Sequence, residues 1–178
     1  SKEGTISIVF QVVGESTKQM GRLEVGDSFA DVVGPLGVPS EFLKEEIEEL
    51  KKKKILFVAG GVGTAPVYPQ VKWMKEHGVE TDVIIGTRTK DTLIFEEEMK
   101  EYASQLYVCT DDGSYGRKAL VTDMIDLLMQ EGKTYDHAVI IGPMLMMKFA
   151  SKKCKNYGLS NTVSLNPLMV DGTGMCGA

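Results

Sequence analysis

A glycine-rich turn between an apolar run and a helical segment is the sequence feature that most constrains the fold. The apolar run covers residues 55–60, and the turn consists of Gly60, Gly61, Val62, Gly63, Thr64, Ala65 and Pro66. Glycine adopts positive φ and lets the backbone come close to a ligand, and proline is favoured in the first turn of a helix. Because unpaired N–H groups at a helix N-terminus attract anions, the pattern predicts a strand, a tight turn and a helix whose start binds a phosphate or diphosphate.

The sequence after residue 54 alternates between apolar runs and helical patterns. The runs predict five strands, over 55–60, 82–86, 106–110, 137–142 and 162–165. Helical periodicity separates them, over 66–77, 94–104, 118–130 and 144–156. Apolar runs without alternation are typical of parallel strands that are covered on both faces. The order therefore predicts an α/β fold with a five-stranded, doubly wound parallel sheet, in which ligands bind beyond the carboxyl ends of the strands.

Residues 1–39 have a different pattern from the rest of the chain. β-Branched residues alternate over 5–13, a second strand-like run covers 27–33, and a glycine–proline turn begins at Gly34. We expect strands of an antiparallel β structure here, too few to bury a core of their own. Residues 40–53 are rich in Glu and Lys, and we interpret them as a charged linker in which opposite charges pair.

The composition argues against several classes of function. The 178 residues carry a formal net charge of −5, so the chain lacks the general basic surface that nucleic-acid binding requires. No apolar stretch approaches the roughly 20 residues that a membrane-spanning helix needs, so we expect no membrane association. The three cysteines, Cys109, Cys154 and Cys176, form no disulfide framework, and a reducing cytoplasm is the expected location.

Polar residues follow the second and third predicted strands. Arg88 stands where the ribose of an adenosine or its 2′-phosphate would lie, and a guanidinium can hold a phosphate with two hydrogen bonds. Asp91 is near enough to accept from ribose hydroxyls, so the choice between NAD and NADP stays open. Asp111, Asp112 and Gly113 follow the third strand, where the carboxylates could bind ribose or carboxamide groups or could simply favour a turn.

The fourth predicted strand ends in Gly142 and Pro143, and Met144 begins the helix that follows. Soft apolar side chains such as that of Met144 could line the nicotinamide side of a dinucleotide, or could pack in the helix core. The chain has only two histidines, one near a predicted helix end and one at a predicted strand start, which argues against a histidine-based catalytic triad or zinc site. We assign no catalytic acid or base.

These residues together resemble the ferredoxin–NADP reductase superfamily. The resemblance rests on the strings at 58–66, 86–88, 110–114 and 142–143. Within the superfamily, the chain is similar to flavin and iron–sulfur electron-transfer subunits. These are the alpha (small) subunit of NADH-dependent ferredoxin:NADP oxidoreductase, also called sulfide dehydrogenase, and the dihydroorotate dehydrogenase electron-transfer subunit.

The resemblance implies a division of the chain and further cofactor residues. Residues 1–39 would be the C-terminal part of an FAD-binding β-barrel, 54–166 the NAD(P)-binding domain, and 167–178 the start of a [2Fe–2S] segment. The residues implied for FAD are Gly14, Ser16, Thr17 and Gly34, and those implied for the cluster are Asp171 and Cys176. A first flavin motif and a third cluster cysteine are missing from the sequence, so we expect this fragment to lack FAD and the cluster and to be inactive alone.

The implied function is electron transfer. A hydride would move between NAD(P)H and FAD, and electrons would pass to or from an iron–sulfur centre. The implied partners are a larger flavoprotein or dehydrogenase subunit and a ferredoxin-like carrier. Ile141 and Asp171 favour the ferredoxin:NAD(P) oxidoreductase type over the electron-transfer subunit of dihydroorotate dehydrogenase or of a hydrogenase. A dinucleotide-sensing module without electron transfer is the alternative from a different class.

Overall fold

The computed structural model of the chain describes residues 4–165, which divide into two compact units, 4–39 and 40–165. The first unit contains one short helix, α1 (Glu15–Met20), and no strand within its described residues. The N–H groups of Val13 and Gly14 donate to the Thr17 hydroxyl, both at 3.0 Å, so a threonine in the first turn satisfies the backbone at the start of α1.

The second unit is built on a parallel sheet of six strands within the described residues. The strands are β1 (Ile55–Gly60), β2 (Thr81–Thr87), β3 (Gln105–Thr110), β4 (Arg117–Lys118), β5 (His137–Ile141) and β6 (Ser160–Val163). Their order in the sheet is β4-β3-β2-β1-β5-β6, and every neighbouring pair is parallel. The strand order reverses beside β1, which confirms the predicted doubly wound α/β fold.

Helices cover both faces of this sheet. The helices of the second unit are α2 (Ile47–Leu50), α3 (Thr64–Glu76), α4 (Glu96–Tyr102), α5 (Val121–Gln130) and α6 (Met144–Asn156). Buried residues of α3 and α4 pack in one core, and those of α5 and α6 pack in the other. No helix within residues 4–165 has both the length and the apolar character needed to cross a membrane.

The position of β1 between two cores explains why its sequence does not alternate between polar and apolar residues. Ile55, Phe57 and Ala59 belong to the core beneath α3 and α4, while Leu56 and Val58 belong to the core beneath α5 and α6. All of these side chains are at most 3% exposed. Because successive side chains point to opposite faces, a strand with a core on each side must be apolar at every position.

Two sequence predictions differ from the structure. Residues 5–13 and 27–33 form no strand in the described part of the first unit, where large apolar side chains such as Ile6 and Val33 are exposed. Alternation selects a face for each side chain but supplies no hydrogen-bonding partner strand, so the β-barrel remains a prediction. The sheet also has a sixth strand, β4, which spans two residues and is too short to give a periodic signal.

Residues 40–53, predicted as a charged linker, group with the second unit. They contain a 3₁₀ turn (Glu41–Lys44) and α2, and lysines 51–53 pair with glutamates of the same segment. Leu50 is 1% exposed in the core beneath α3. The Phe42 ring lies 5.6 Å from the ring of Trp73, centroid to centroid. The segment is therefore held by apolar contacts beneath its charged surface.

Replacing Leu50 by alanine should show how much residues 40–53 contribute to the stability of the second unit. Because a buried leucine is truncated, we expect Leu50→Ala to lower the unfolding free energy by about 3 kcal/mol. Leu43→Ala removes the same atoms from a side chain that is 45% exposed and should cost less than about 0.5 kcal/mol. Urea unfolding followed by Trp73 fluorescence measures both, and equal losses would contradict the packing described here.

Candidate functional site: the carboxyl edge of the sheet

The turn after β1 places a helix start at the carboxyl edge of the sheet. A 3₁₀ turn (Gly61–Gly63) runs directly into α3, whose first turn contains no acidic residue. The buried Thr64 hydroxyl donates to the Gly61 carbonyl oxygen at 2.9 Å and fixes the turn. The positive end of α3 is therefore left without a carboxylate of its own helix to neutralise it, which suits an anionic ligand.

Gly61 is the glycine of this turn whose conformation requires glycine. Its φ is +53°, in the left-handed region, and a Cβ added there would have no atom within 4 Å. An L side chain is strained in this conformation by roughly 1–2 kcal/mol. Open space next to a positive-φ backbone at a helix start is the geometry through which a diphosphate can approach the amides.

Gly60, Gly63 and Gly142 lack a side chain for a different reason. The turn after β1 and the turn after β5 pack so closely that a Cβ at these positions would clash. A Cβ on Gly63 would lie 2.5 Å from the Ile141 carbonyl oxygen and 2.9 Å from the Gly142 Cα. A Cβ on Gly60 would lie 2.2 Å from the Met146 sulfur. The turn after β1 and the turn after β5 are therefore in backbone contact, which places Gly142 and Pro143 beside the glycine turn.

The three methionines at the start of α6 have different environments. Met144 is 72% exposed, Met147 is buried in the core, and Met146 packs beneath Gly60 and Gly142. Met146 thus supports the two turns from below, whereas Met144 is free to contact a ligand or another surface. Its predicted place beside a nicotinamide remains a prediction.

The ends of β2 and β3 are joined by backbone hydrogen bonds. The Asp111 N–H donates to the Thr87 carbonyl at 3.0 Å, and the Asp112 N–H donates to the Arg88 carbonyl at 3.2 Å. The structure therefore brings together the residues predicted at these two strand ends. Arg88 and Asp111 are exposed, and neither forms an ion pair with another residue of 4–165.

Asp112 has a structural role in its own turn. Its Oδ1 accepts from the Ser114 N–H at 2.9 Å and from the Ser114 hydroxyl at 2.7 Å. These bonds hold the pKa of Asp112 below its ordinary value, so the carboxylate is charged at neutral pH. Gly113 completes the turn with a φ of +80°. Of the two predicted carboxylates, Asp111 is the one with no such partner among residues 4–165.

Sequence reasoning missed a contact beside this turn. The Tyr115 hydroxyl donates to Glu96 Oε1 at 2.9 Å, which connects the segment after β3 to the first residue of α4. Nineteen residues separate the two side chains, and no local pattern in the sequence pairs them. Only the β2–β3 neighbourhood in the sheet brings them together.

The residues implied for the flavin belong to the first unit, and those implied for the cluster are not among the described residues. Gly14, Ser16, Thr17 and Gly34 belong to the unit formed by residues 4–39. The Thr17 hydroxyl is engaged by its own backbone, because it accepts from Val13 and Gly14 and donates to the Gly14 carbonyl at 3.1 Å. Asp171 and Cys176 lie outside the described residues. Within residues 4–165, no group of three or more His, Cys, Asp or Glu side chains could hold a metal ion.

Comparison with known proteins identifies the family. Residues 57–152 match the family described as the oxidoreductase NAD-binding domain. The chain belongs to this family of NAD-binding domains, which confirms the resemblance to ferredoxin reductases.

The similarity to individual relatives covers more of the chain than residues 57–152. A Thermotoga maritima protein named as a homologue of the dihydroorotate dehydrogenase B (NAD(+)) electron transfer subunit is 48% identical over 177 residues, covering 99% of this chain and 60% of the relative. A Clostridium beijerinckii protein, described as an uncharacterized protein in the adh 3′ region, is 63% identical over 178 residues, 60% of its length. The chain thus spans about 60% of the curated relatives it matches.

A solved structure of NADH-dependent reduced ferredoxin–NADP oxidoreductase superposes with a TM-score of 0.80 at 45% sequence identity. The match covers 95% of this chain and 58% of that one. One of these names contains an electron transfer subunit and NAD(+), and the other an NADH-dependent ferredoxin–NADP oxidoreductase. This chain is accordingly related to electron-transfer subunits of the ferredoxin reductase type.

The close approach of the two turns can be tested through stability. A methyl group on Gly63 would press on backbone atoms that cannot rotate away, so we expect Gly63→Ala to lower the unfolding free energy by about 3 kcal/mol. Gly132→Ala places a methyl group in open space at a φ of +81° and should cost about 1 kcal/mol through backbone strain alone. Thermal and urea unfolding compare them, and a smaller loss for Gly63→Ala would contradict the contact.

Proposed function

We propose that the chain is the nicotinamide-dinucleotide-binding part of an electron-transfer oxidoreductase subunit of the ferredoxin:NAD(P) oxidoreductase type. The observation that carries the proposal is the glycine turn before α3, held against the turn after β5. It presents open space, positive-φ backbone and an unneutralised helix start in one place. No other feature of residues 40–165 offers a diphosphate the same combination.

The dinucleotide would lie along the carboxyl edge of the sheet. Amides of residues 61–65 would bind the diphosphate, with Gly60 and Pro66 bounding the turn, while Val62, which is 46% exposed, would shield one side. The adenosine end would reach Arg88, Asp111, Asp112 and Gly113 after β2 and β3. The nicotinamide end would lie at Gly142, Pro143 and Met144. The two turns in backbone contact would then fix the distance between the diphosphate and the reacting ring.

The redox partners of the nicotinamide would be FAD and an iron–sulfur centre, bound by a longer protein that would include this chain. FAD, when bound, supplies the acceptor or donor of the hydride, and an iron–sulfur centre supplies one-electron transfer. Gly14, Ser16, Thr17 and Gly34 are the proposed FAD contacts, and Asp171 and Cys176 the proposed cluster ligands. The backbone amides of α1, rather than the engaged Thr17 hydroxyl, are the groups of that turn with which a flavin diphosphate would bond. A larger subunit and a ferredoxin-like carrier are the proposed partners.

A second candidate is the electron-transfer subunit of dihydroorotate dehydrogenase. The names of relatives that are 48% and 37% identical to the chain favour it. Ile141, whose carbonyl packs on Gly63, and Asp171 favour the first candidate, as the resemblance implies. With the longer protein and its partner, NADH-dependent reduction of ferredoxin or NADP supports the first candidate, whereas reduction of NAD by dihydroorotate supports the second.

Binding of the dinucleotide itself can be tested on the chain. We expect NADH or NADPH to bind, and Gly61→Ala to weaken the preferred nucleotide about 10-fold, because the new methyl group occupies the space through which the diphosphate approaches. Gly132→Ala introduces the same strain at a positive-φ glycine with equally open surroundings. It should leave the affinity unchanged.

Isothermal titration calorimetry with each nucleotide measures these affinities. Absence of binding by the folded wild-type chain would contradict the proposal. Equal effects of the two glycine variants would place the nucleotide elsewhere. Binding by the longer protein without any flavin reduction would instead support a dinucleotide-sensing module.

A further inference from the structure

The segments that follow β2 and β3 are connected by side chains as well as by backbone. Tyr115, in the segment after β3, donates its hydroxyl to Glu96 Oε1 at 2.9 Å. Lys100 Nζ lies 2.9 Å from the same carboxylate oxygen, and the Glu96 side chain is only 16% exposed. A tyrosine, a carboxylate and a lysine thus form one contact at the start of α4.

A second connection links the same two segments. The Lys90 N–H donates to the Ser114 hydroxyl at 2.8 Å, and Lys90 Nζ lies 5.2 Å from the centroid of the Tyr115 ring. The Tyr115 backbone is fixed in turn by Thr110, whose hydroxyl donates to the Tyr115 carbonyl at 2.7 Å. Residues 88–95 and 111–116 therefore form one bridged pair of loops.

The chain enters α4 through a strained residue. Phe95 has a φ of +59°, a left-handed conformation that costs a non-glycine residue roughly 1–2 kcal/mol. Its ring stacks on Tyr68 of α3 at 5.1 Å with an interplanar angle of 16°. Packing thus holds a backbone geometry that local preference opposes, and Glu96, the next residue, is the one that reaches Tyr115.

A chemically matched contact exists elsewhere in the same unit. Tyr157 donates to Asp126 Oδ1 at 2.9 Å, and Lys153 lies 2.6 Å from Asp126 Oδ2. That contact joins α5 to the end of α6 and touches neither loop. The two triads have the same chemistry and differ in what they connect, so the second is a natural control for the first.

We propose that Tyr115 and Glu96 are positioning residues that set the adenosine side of the dinucleotide site. Their contact holds the loop that carries Arg88 at a fixed distance from the loop that carries Asp111. The inference rests on the proposed function, because it assigns these loops to the adenosine end of the bound nucleotide. Neither residue needs to touch the ligand, since each acts through the loop it holds.

The charge of Glu96 is compatible with this role. Partial burial acts to raise the pKa of Glu96, but hydrogen bonds from Lys100 and Tyr115 outweigh it, and the pKa lies below its ordinary value. The same bond raises the pKa of Tyr115. At neutral pH the carboxylate is thus charged and the tyrosine is protonated, which is the pairing that the hydrogen bond requires.

The test compares Tyr115→Phe with Tyr157→Phe. Each substitution removes the tyrosine hydroxyl that donates to a carboxylate. If both contacts are merely structural, the two variants should change thermal stability by similar amounts and leave nucleotide affinity unchanged. We expect Tyr115→Phe to weaken ADP-ribose and the preferred dinucleotide by the same factor, about 5-fold, because both share the adenosine end. Tyr157→Phe should change neither affinity. Calorimetric titration measures both ligands.

Conservative replacement at Glu96 provides the rescue. Glu96→Gln keeps an oxygen acceptor for Tyr115 and should retain most of the affinity for ADP-ribose, whereas Glu96→Ala should match Tyr115→Phe. Wild-type affinity in Tyr115→Phe, or equal losses in the two tyrosine variants, would overturn the positioning role while leaving the proposed function intact. Failure of the wild-type chain to bind either ligand would overturn the proposed function, and this inference with it.

Discussion

The backbone contact between the turn after β1 and the turn after β5 is the constraint on which the site depends. Gly63 lies so close to the Ile141 carbonyl and to Gly142 that a single Cβ would not fit. This contact sets where α3 begins relative to the sheet. A helix start fixed at the edge of a parallel sheet can hold a diphosphate, and the turn after β5 lies next to that helix start.

The sheet makes that contact possible because its strands end level with one another. Ala59 of β1 pairs with Ile141 of β5, and Gly60 of β1 pairs with Gly86 of β2. The two cores, one on each face, fix the register, since β1 places successive side chains alternately in each. Small residues at the strand ends then leave room for the turns and side chains that pack on them. A Cβ on Gly86 would lie 2.3 Å from the Val121 side chain at the start of α5.

The sequence predicted the part of the fold that repeats a periodic pattern. Each of the five predicted strands is present, with the last one shifted to Ser160–Val163, and α6 occupies the predicted residues. Apolar runs and amphipathic helices leave local signals in the sequence. The two-residue β4 leaves none. Residues 5–13 and 27–33 form no strand in the described structure, and the β-barrel stays a prediction because alternation alone does not identify the partner strands.

The site was predictable to the same extent. The glycine turn carries its chemistry in consecutive residues, so its place at the sheet edge followed from the sequence. The sequence did not show which glycine packs against neighbouring atoms and which has open space beside it, because the difference depends on Ile141 and Met146, far away in the chain. The Tyr115–Glu96 contact is of the same kind. It exists because β2 and β3 are neighbours in the sheet, and no local sequence pattern predicts the order of the strands.

Amide chemical-shift mapping of the isotope-labelled chain with the preferred nucleotide identifies the backbone groups that the ligand contacts. We expect the largest changes on the amides of residues 61–65, with further changes after β2, β3 and β5. Amides at the opposite edge of the sheet, such as those of Lys54 and Thr81, should be unaffected. Changes concentrated at that opposite edge, or no change at saturating nucleotide, would contradict this expectation.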